Sequence, residues 1–490
     1  MSALDISIVA IYLAAVTGMG FYFYRGASTE KGFTSAGGKL PGWVVGFSIF
    51  GTYLSSISFI ALPGAAYAGG WNRFAFSLSL PLAAWVATRW FTRYYRQTGH
   101  ISAYASLETR FGVWARLYAM SFYLLTQFAR VGTITFLVAL TLNEAAGWDI
   151  RLVIAVTGAL VTIYSVAGGI EAVIWTDLTQ SVILIIGAMA CAAVLLFGAP
   201  GGPANVLASA MEQGKLSMGP YGFSLYEATF WVTFIYGVFI NLQNFGIDQN
   251  YVQRYLAAKS QKEADRSVWF GALLYIPVSA LFFLIGSSLF VYYSSQPQLL
   301  PPELAAKGMG DKVFPYFMMT QLPSGFKGLL IAALLAAAMS TISSSLNSSS
   351  TILLSDVYTR FINPKADDRT RTLFLRLTSL ALGVGGIIAA LLMIHNKSAL
   401  DQWWNLSGVF SGGMLGLFLL GIMTRQARSS HAAVGVAAGL LVIIWATFAD
   451  KLGLPHNSFH QFMTIVFGTV TIFIVGLLAA IIVGKKARFG

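Results

Sequence analysis

Charge is what this sequence has least of: Asp, Glu, Lys and Arg together make up 10% of its 490 residues. A water-soluble chain of this size carries about 25% charged residues, so water is not the main solvent here. Cysteine is nearly absent too. Cys191 stands alone in an apolar run, which excludes a disulfide framework and a thiolate metal site. The five histidines (His100, His395, His431, His456, His460) show no ligand spacing. There is no HExxH, no phosphate-binding glycine loop and no nucleophile–base–acid set, so an enzyme is not expected. No basic residue precedes the first apolar stretch, and no small-residue cleavage site follows it by Tyr24. That stretch reads as a membrane span rather than a removable signal.

What is present is apolar sequence, 56% of the chain. Leu40–Asn72, Leu178–Met211, Ser267–Pro302, Gly328–Ser355 and Leu452–Gly484 each lack Lys, Arg, Asp and Glu. About 20 apolar residues cross the hydrocarbon core, and every one of these runs is longer. The pattern predicts an all-α membrane protein with thirteen transmembrane helices, at 5–25, 42–68, 73–92, 117–143, 151–168, 172–198, 226–247, 268–294, 328–356, 374–395, 402–424, 430–449 and 459–484. Basic residues in or beside alternate loops number twenty-one on one side (Arg110, Arg116, Arg254, Lys259 and Lys262 among them) and eight on the other. By the positive-inside rule the richer side is cytoplasmic, with the N-terminus outside and the C-terminus inside. The net charge of +12 is thus mostly a topology signal toward a lipid bilayer, not a nucleic-acid surface.

Three groups of residues carry candidate chemistry. The span opening after Pro41 bunches hydroxyls at mid-depth (Gly51-Thr-Tyr-Leu-Ser-Ser-Ile-Ser58), and the seventh ends in the polar run Asn241–Asn250. Polar, glycine-interrupted spans at corresponding places in two halves point to a transporter's midplane site. Taking spans 2–6 and 7–11 as the halves, each opens on its irregular helix. The ninth span carries nine hydroxyl residues within Ala338–Thr351. Small residues of this kind serve tight helix packing. Equally, Thr341, Ser344 and Ser345 share a face and could ligate a hard cation, with carbonyls from an unwound Gly51–Ser56 completing the set.

Two charges lie deep. Asp177 is either a helix-end carboxylate or the counter-charge of a second cation. Arg130 has thirteen uncharged residues on either side. Its planar fork suits a carboxylate, either an internal one (Asp177 or Asp248) or that of a substrate. Asp248, Gln249, Asn250 and Gln253 fit substrate contacts or the internal bonds of a broken helix.

At these segments the sequence resembles the sodium:solute symporter family, through Leu54–Phe59 with Pro63, Gly168–Asp177, Val252–Tyr255, and Ser340–Ser348 followed by Asp356–Arg360. The resemblance covers nearly the whole chain and leans toward the bacterial sialic acid symporters through Phe128-Ala-Arg-Val131 and the Tyr-Leu-Ser-Ser stretch. It implies a leucine-transporter-like five-plus-five inverted repeat: an extra helix at 5–25, a first repeat at 42–198, a second at 226–424, and two helices in 430–484. It implies one sodium ion at the carbonyls of Gly51, Leu54 and Thr341 with the hydroxyls of Ser344 and Ser345. A second would lie at Asp177 with hydroxyls of the Thr341–Ser345 face. A substrate carboxylate would meet Arg130, Ser55 and Ser58, with Gln249 nearby.

Three positions depart from the sialate pattern. Tyr53 stands where a small threonine is expected, Arg73 replaces an aromatic residue, and Ser77 replaces a glutamine. The expectation is sodium-coupled symport of a small organic anion (sialic acid, another sugar acid or a monocarboxylate) across a bacterial inner membrane, with a neutral sugar as the alternative solute.

Overall fold

The computed structural model describes residues 1–306, 308–394 and 413–489, with backbone alone from 483. All named elements are helical, as a chain in hydrocarbon requires: an apolar run there must satisfy its own backbone hydrogen bonds. The elements that build the centre are α1 (Ala3–Tyr22), α2 (Gly42–Tyr53), α3 (Ser56–Gly69), α4 (Val113–Ala146), α5 (Ile150–Gly198), α6 (Phe230–Ile247), α7 (Gln249–Ala257), α8 (Gln261–Ser295), α9 (Phe326–Ile352) and α10 (Asp368–Met393). Met414–Met423, Ser429–Phe448 and Met463–Phe489 follow.

Among the described residues nine helices are long and apolar enough to cross a membrane, and the bent pair α2–α3 makes ten. Three expected spans account for the difference from thirteen. Segment 73–92 is not one helix but Phe74–Leu78, Leu80–Val86 and a π-helical turn, Ala87–Phe91. Segments 151–168 and 172–198 merge in α5, whose 49 residues would reach about 74 Å if straight, more than twice the hydrocarbon thickness. It is interrupted at Gly169, whose φ of 56° and ψ of −154° only glycine adopts easily; a side chain there would also meet Phe33 at 2.9 Å. Part of 402–424 lies outside the described residues.

The helix rich in hydroxyls, α9, is the buried axis. Its span is 94% buried, against 28% for α1, so its Ser/Thr row does not face lipid. The N-terminal end of α9 is capped from another helix. Asp5 of α1 accepts hydrogen bonds from the amides of Gly325 (2.7 Å) and Gly328 (2.9 Å), where α9 begins. Ser2 donates to the other carboxylate oxygen at 2.8 Å. These are orphan helix-start donors, which α9 cannot satisfy itself. Asp5→Ala is therefore expected to lower stability by about 1–2 kcal/mol, seen as a fall in the melting temperature of the purified protein.

Candidate functional site

Two helix breaks and one hydroxyl row meet at the centre. The first break lies between α2 and α3, which bend by 61°. Leu54 (φ −90°, ψ 89°) and Ser55 (φ −84°, ψ 167°) leave the helical region. No backbone amide from Ser55 through Ser58 bonds back into α2; Ser58 N turns instead to Ser55 Oγ at 3.4 Å. The carbonyls from Gly51 to Leu54 are thereby released from helical partners. The second break is at Asp248 (φ −78°, ψ 121°), between α6 and α7, where Asn250 N donates to the Asp248 carboxylate at 2.8 Å.

Gly51 brings the first break against α9. A Cβ at Gly51 would lie 3.0 Å from Ser181 Oγ, 3.3 Å from Ser340 Oγ and 3.6 Å from the Asp177 Cβ. On α9, Thr341 donates to the Ala337 carbonyl (3.1 Å) and Ser345 donates to Gln127 Oε1 (2.7 Å). Both hydroxyls give away their proton and keep lone pairs, the state in which an alcohol can ligate a cation. The two sit at i and i+4, on one face of the helix.

Asp177 is paired, and with a residue that sequence reasoning had placed in a cytoplasmic loop. Arg254, fully buried on α7, donates Nη2 to Asp177 Oδ2 at 2.7 Å and to Ser344 Oγ at 2.7 Å. Its Nε donates to Ser48 Oγ at 2.7 Å, and its Nη1 to the Asn250 carbonyl at 2.6 Å. The remaining Asp177 oxygen accepts from Ser340 at 2.6 Å. The hydroxyls on Asp177 are thus Ser48 and Ser340, not members of the Thr341–Ser345 face. The signal that could have found Arg254 was its place six residues past the polar break at Asp248, on the short helix that follows it.

Arg116, also counted as a loop residue, is buried at the start of α4. It donates to Glu108 at 2.8 Å and to Asp356 at 2.6 Å, and Arg360 joins Glu108 at 2.5 Å. The bond from Arg116 holds the Glu108 carboxyl below its ordinary pKa, so Glu108 stays charged near neutrality.

Arg130 is different. It makes no hydrogen bond or ion pair among the described residues, although Asp248, Tyr123 and Tyr251 lie within its electrostatic reach. Asp177, one candidate partner, belongs to Arg254. Arg130, Asp248, Asn244 and Ser58 are each partly exposed, Asp248 and Asn244 between buried neighbours. The hydroxyl oxygens of Ser55 and Ser58 lie 3.5 Å apart at the first break.

The other expected substrate contacts each have neighbours of their own. Gln249 is fully buried, with its oxygen accepting from Ala103 N (2.8 Å) and its amide donating to the Ile101 carbonyl (2.7 Å), so it ties the segment ahead of α4 to α7. Ser77 shares a 2.8 Å hydrogen bond with Ser279 of α8. Arg73 is exposed and has Asp311, Tyr236 and His460 as electrostatic neighbours, a set on the outer segments. Tyr53 sits at the first break, in an aromatic cluster.

Known proteins are similar to this chain in sequence and in fold. The pattern of the sodium:solute symporter family matches residues 33–439. A sodium/sialic acid symporter of Aliivibrio fischeri is 34% identical over 477 residues, 96% of this chain and 91% of that protein. Another, of Proteus mirabilis, is 35% identical over 465 residues, 94% and 93% of the two chains. The solved substrate-bound, outward-open structure of a sodium-coupled sialic acid symporter superposes with a TM-score of 0.89 at 32% identity, covering 98% of each chain.

Proposed function

Because the chain belongs to the sodium:solute symporter family, and is therefore a multi-pass, sodium-coupled solute symporter and not an enzyme, we propose that its solute is a small organic anion. Uptake runs into a bacterial cell across the inner membrane, with the N-terminus outside. The observation that carries this reading is Arg130: a guanidinium half-buried beside a broken helix, with no ion-pair partner among the described residues. An uncompensated charge at that depth is costly. A substrate carboxylate with Ser55 and Ser58 as further donors would complete it.

Sodium would bind where Gly51 and Leu54 offer free carbonyls to the Thr341–Ser345 face. That ion bridges α9 to the α2–α3 break and orders the unwound segment that also carries Ser55. Substrate binding then favours closure of the outer side and opening of the cytoplasmic one, the alternating access of a five-plus-five inverted repeat. Coupling is reciprocal, so sodium raises substrate affinity by the factor that substrate raises sodium affinity. Each charge moved inward gains about 2.3 kcal/mol per 100 mV. A second sodium at Asp177 requires Arg254 to leave it.

Ser345→Ala tests the sodium site. It is expected to cut sodium-stimulated uptake in proteoliposomes by at least about tenfold, about 1.4 kcal/mol, with normal expression. Uptake that needs no sodium in the parent protein would overturn the assignment.

One observation favours a neutral polar solute instead. Asp248 lies near Arg130, and a small movement would pair them and leave no charge for a carboxylate. Competition by acids against their uncharged analogues separates the readings.

A further inference from the structure

The two breaks are joined by aromatic rings. Tyr53, the last residue of α2, has ring centroids 5.5 Å from Phe245, 5.2 Å from Tyr251 and 5.5 Å from Tyr275. Phe245 and Tyr251 flank the Asp248 break and lie 5.5 Å apart. Rings at these separations are in van der Waals contact and admit nothing between them. Tyr251 is also within electrostatic reach of Arg130, and Ser58 is a polar neighbour of Tyr275, so the box has Arg130 on one side and Ser58 on another. The Tyr53 hydroxyl is buried without a hydrogen bond of normal geometry, and Asn244 and Tyr251 are among its polar neighbours. A phenol with an unused donor, at the seam of two unwound helices, is a costly group to leave buried unless a ligand atom meets it. Elsewhere, groups that could read a polyhydroxylated body are engaged internally: Ser77 with Ser279, and Gln249 with the 101–103 backbone.

We propose that Tyr53 is the specificity-determining residue of this transporter. Its ring, locked against Phe245, Tyr251 and Tyr275, limits the solute to a compact carboxylate of monocarboxylate size. The acid's charge meets Arg130 and its apolar body lies on the box, with the Tyr53 hydroxyl as the polar contact at its far end. This inference rests on the carboxylate reading of Arg130.

The test is sodium-driven uptake of labelled acid into proteoliposomes, with three- to six-carbon monocarboxylates set against the nine-carbon sugar acid sialic acid. For the parent protein, kcat/KM for the best small acid is expected to exceed that for the large one by at least about 100-fold. Tyr53→Thr opens the box and is expected to narrow that ratio by at least about tenfold, through KM for the large acid. Tyr53→Phe keeps the rings and the size discrimination while weakening small-acid binding, and melting curves confirm that both variants fold. A parent protein that carries sialic acid as well as any small acid overturns this inference alone. So does a Tyr53→Thr change that lowers all acids equally. The absence of any sodium-driven carboxylate uptake overturns the carboxylate reading itself.

Discussion

Arg130→Gln is expected to abolish sodium-driven carboxylate uptake, with kcat/KM falling at least about 100-fold, while the protein folds and melts as before. A bidentate guanidinium–carboxylate pair is a charge-assisted contact at about twice the strength of a neutral hydrogen bond. Deep in the membrane it has little competition from water. A 100-fold loss corresponds to about 2.7 kcal/mol, within the 2–5 kcal/mol seen when one member of a buried hydrogen-bonded charge pair is removed. Folding should survive because Arg130 holds no ion pair among the described residues, so its removal strands no bonded partner there. Arg130→Lys keeps the charge and loses the fork, and should recover only part of the activity. If Arg130→Gln melts lower by the equivalent of about 3–5 kcal/mol, Asp248 has been its partner all along and the neutral-solute reading takes over. Asp248→Asn would sharpen the comparison: near a bound carboxylate its charge is repulsive, so its loss should lower KM for acids and leave uncharged solutes unaffected.

The parts of this site that could be read from sequence are the parts with local signatures. A hydroxyl row in an uncharged run needs only composition to be noticed, and α9 is the buried axis. Breaks at Leu54–Ser55 and Asp248 were visible as polar, glycine-bearing interruptions because irregular backbone at membrane depth must line protein or a cavity. Arg254 was not legible. Its partner is 77 positions away, and nothing near Val252–Tyr255 tells whether α7, after its break, turns inward or runs to water. It was counted with Lys259 and Lys262 as a loop cation, as Arg116 was with Arg110. The topology argument tolerates those errors because the imbalance between sides is large, but the site does not. Gln249 and Ser77 were ambiguous in a similar way: sequence shows a polar group at the right depth, and only the fold shows which internal bonds it makes.

Arg254 bears most on how many sodium ions drive a cycle. Asp177 and Arg254 are both fully buried, and their 2.7 Å contact is backed by Ser48, Ser340 and Ser344, so the pair is neutral and well bonded without an ion. Asp177→Asn should then act first on stability, lowering it by about 3–5 kcal/mol by stranding a buried guanidinium, with sodium dependence showing a Hill coefficient of about one before and after. A second sodium on Asp177 predicts the opposite: a parent Hill coefficient near two that falls with the carboxylate, and a modest change in melting.

The reverse substitution separates the two further. Arg254→Met leaves the Asp177 carboxylate buried beside Ser48 and Ser340 with no cation, and a sodium ion is the available replacement. Stability should therefore become sodium-dependent, rising by about 2.7 kcal/mol at a hundred times the dissociation constant, where the parent protein responds only through its main site. Equal sodium responses in the two proteins would mean that the guanidinium and the ion never contend for Asp177. The arginine would then be a structural bolt between α7, α5 and α9, and a second ion, if the transport cycle uses one, would have to bind elsewhere.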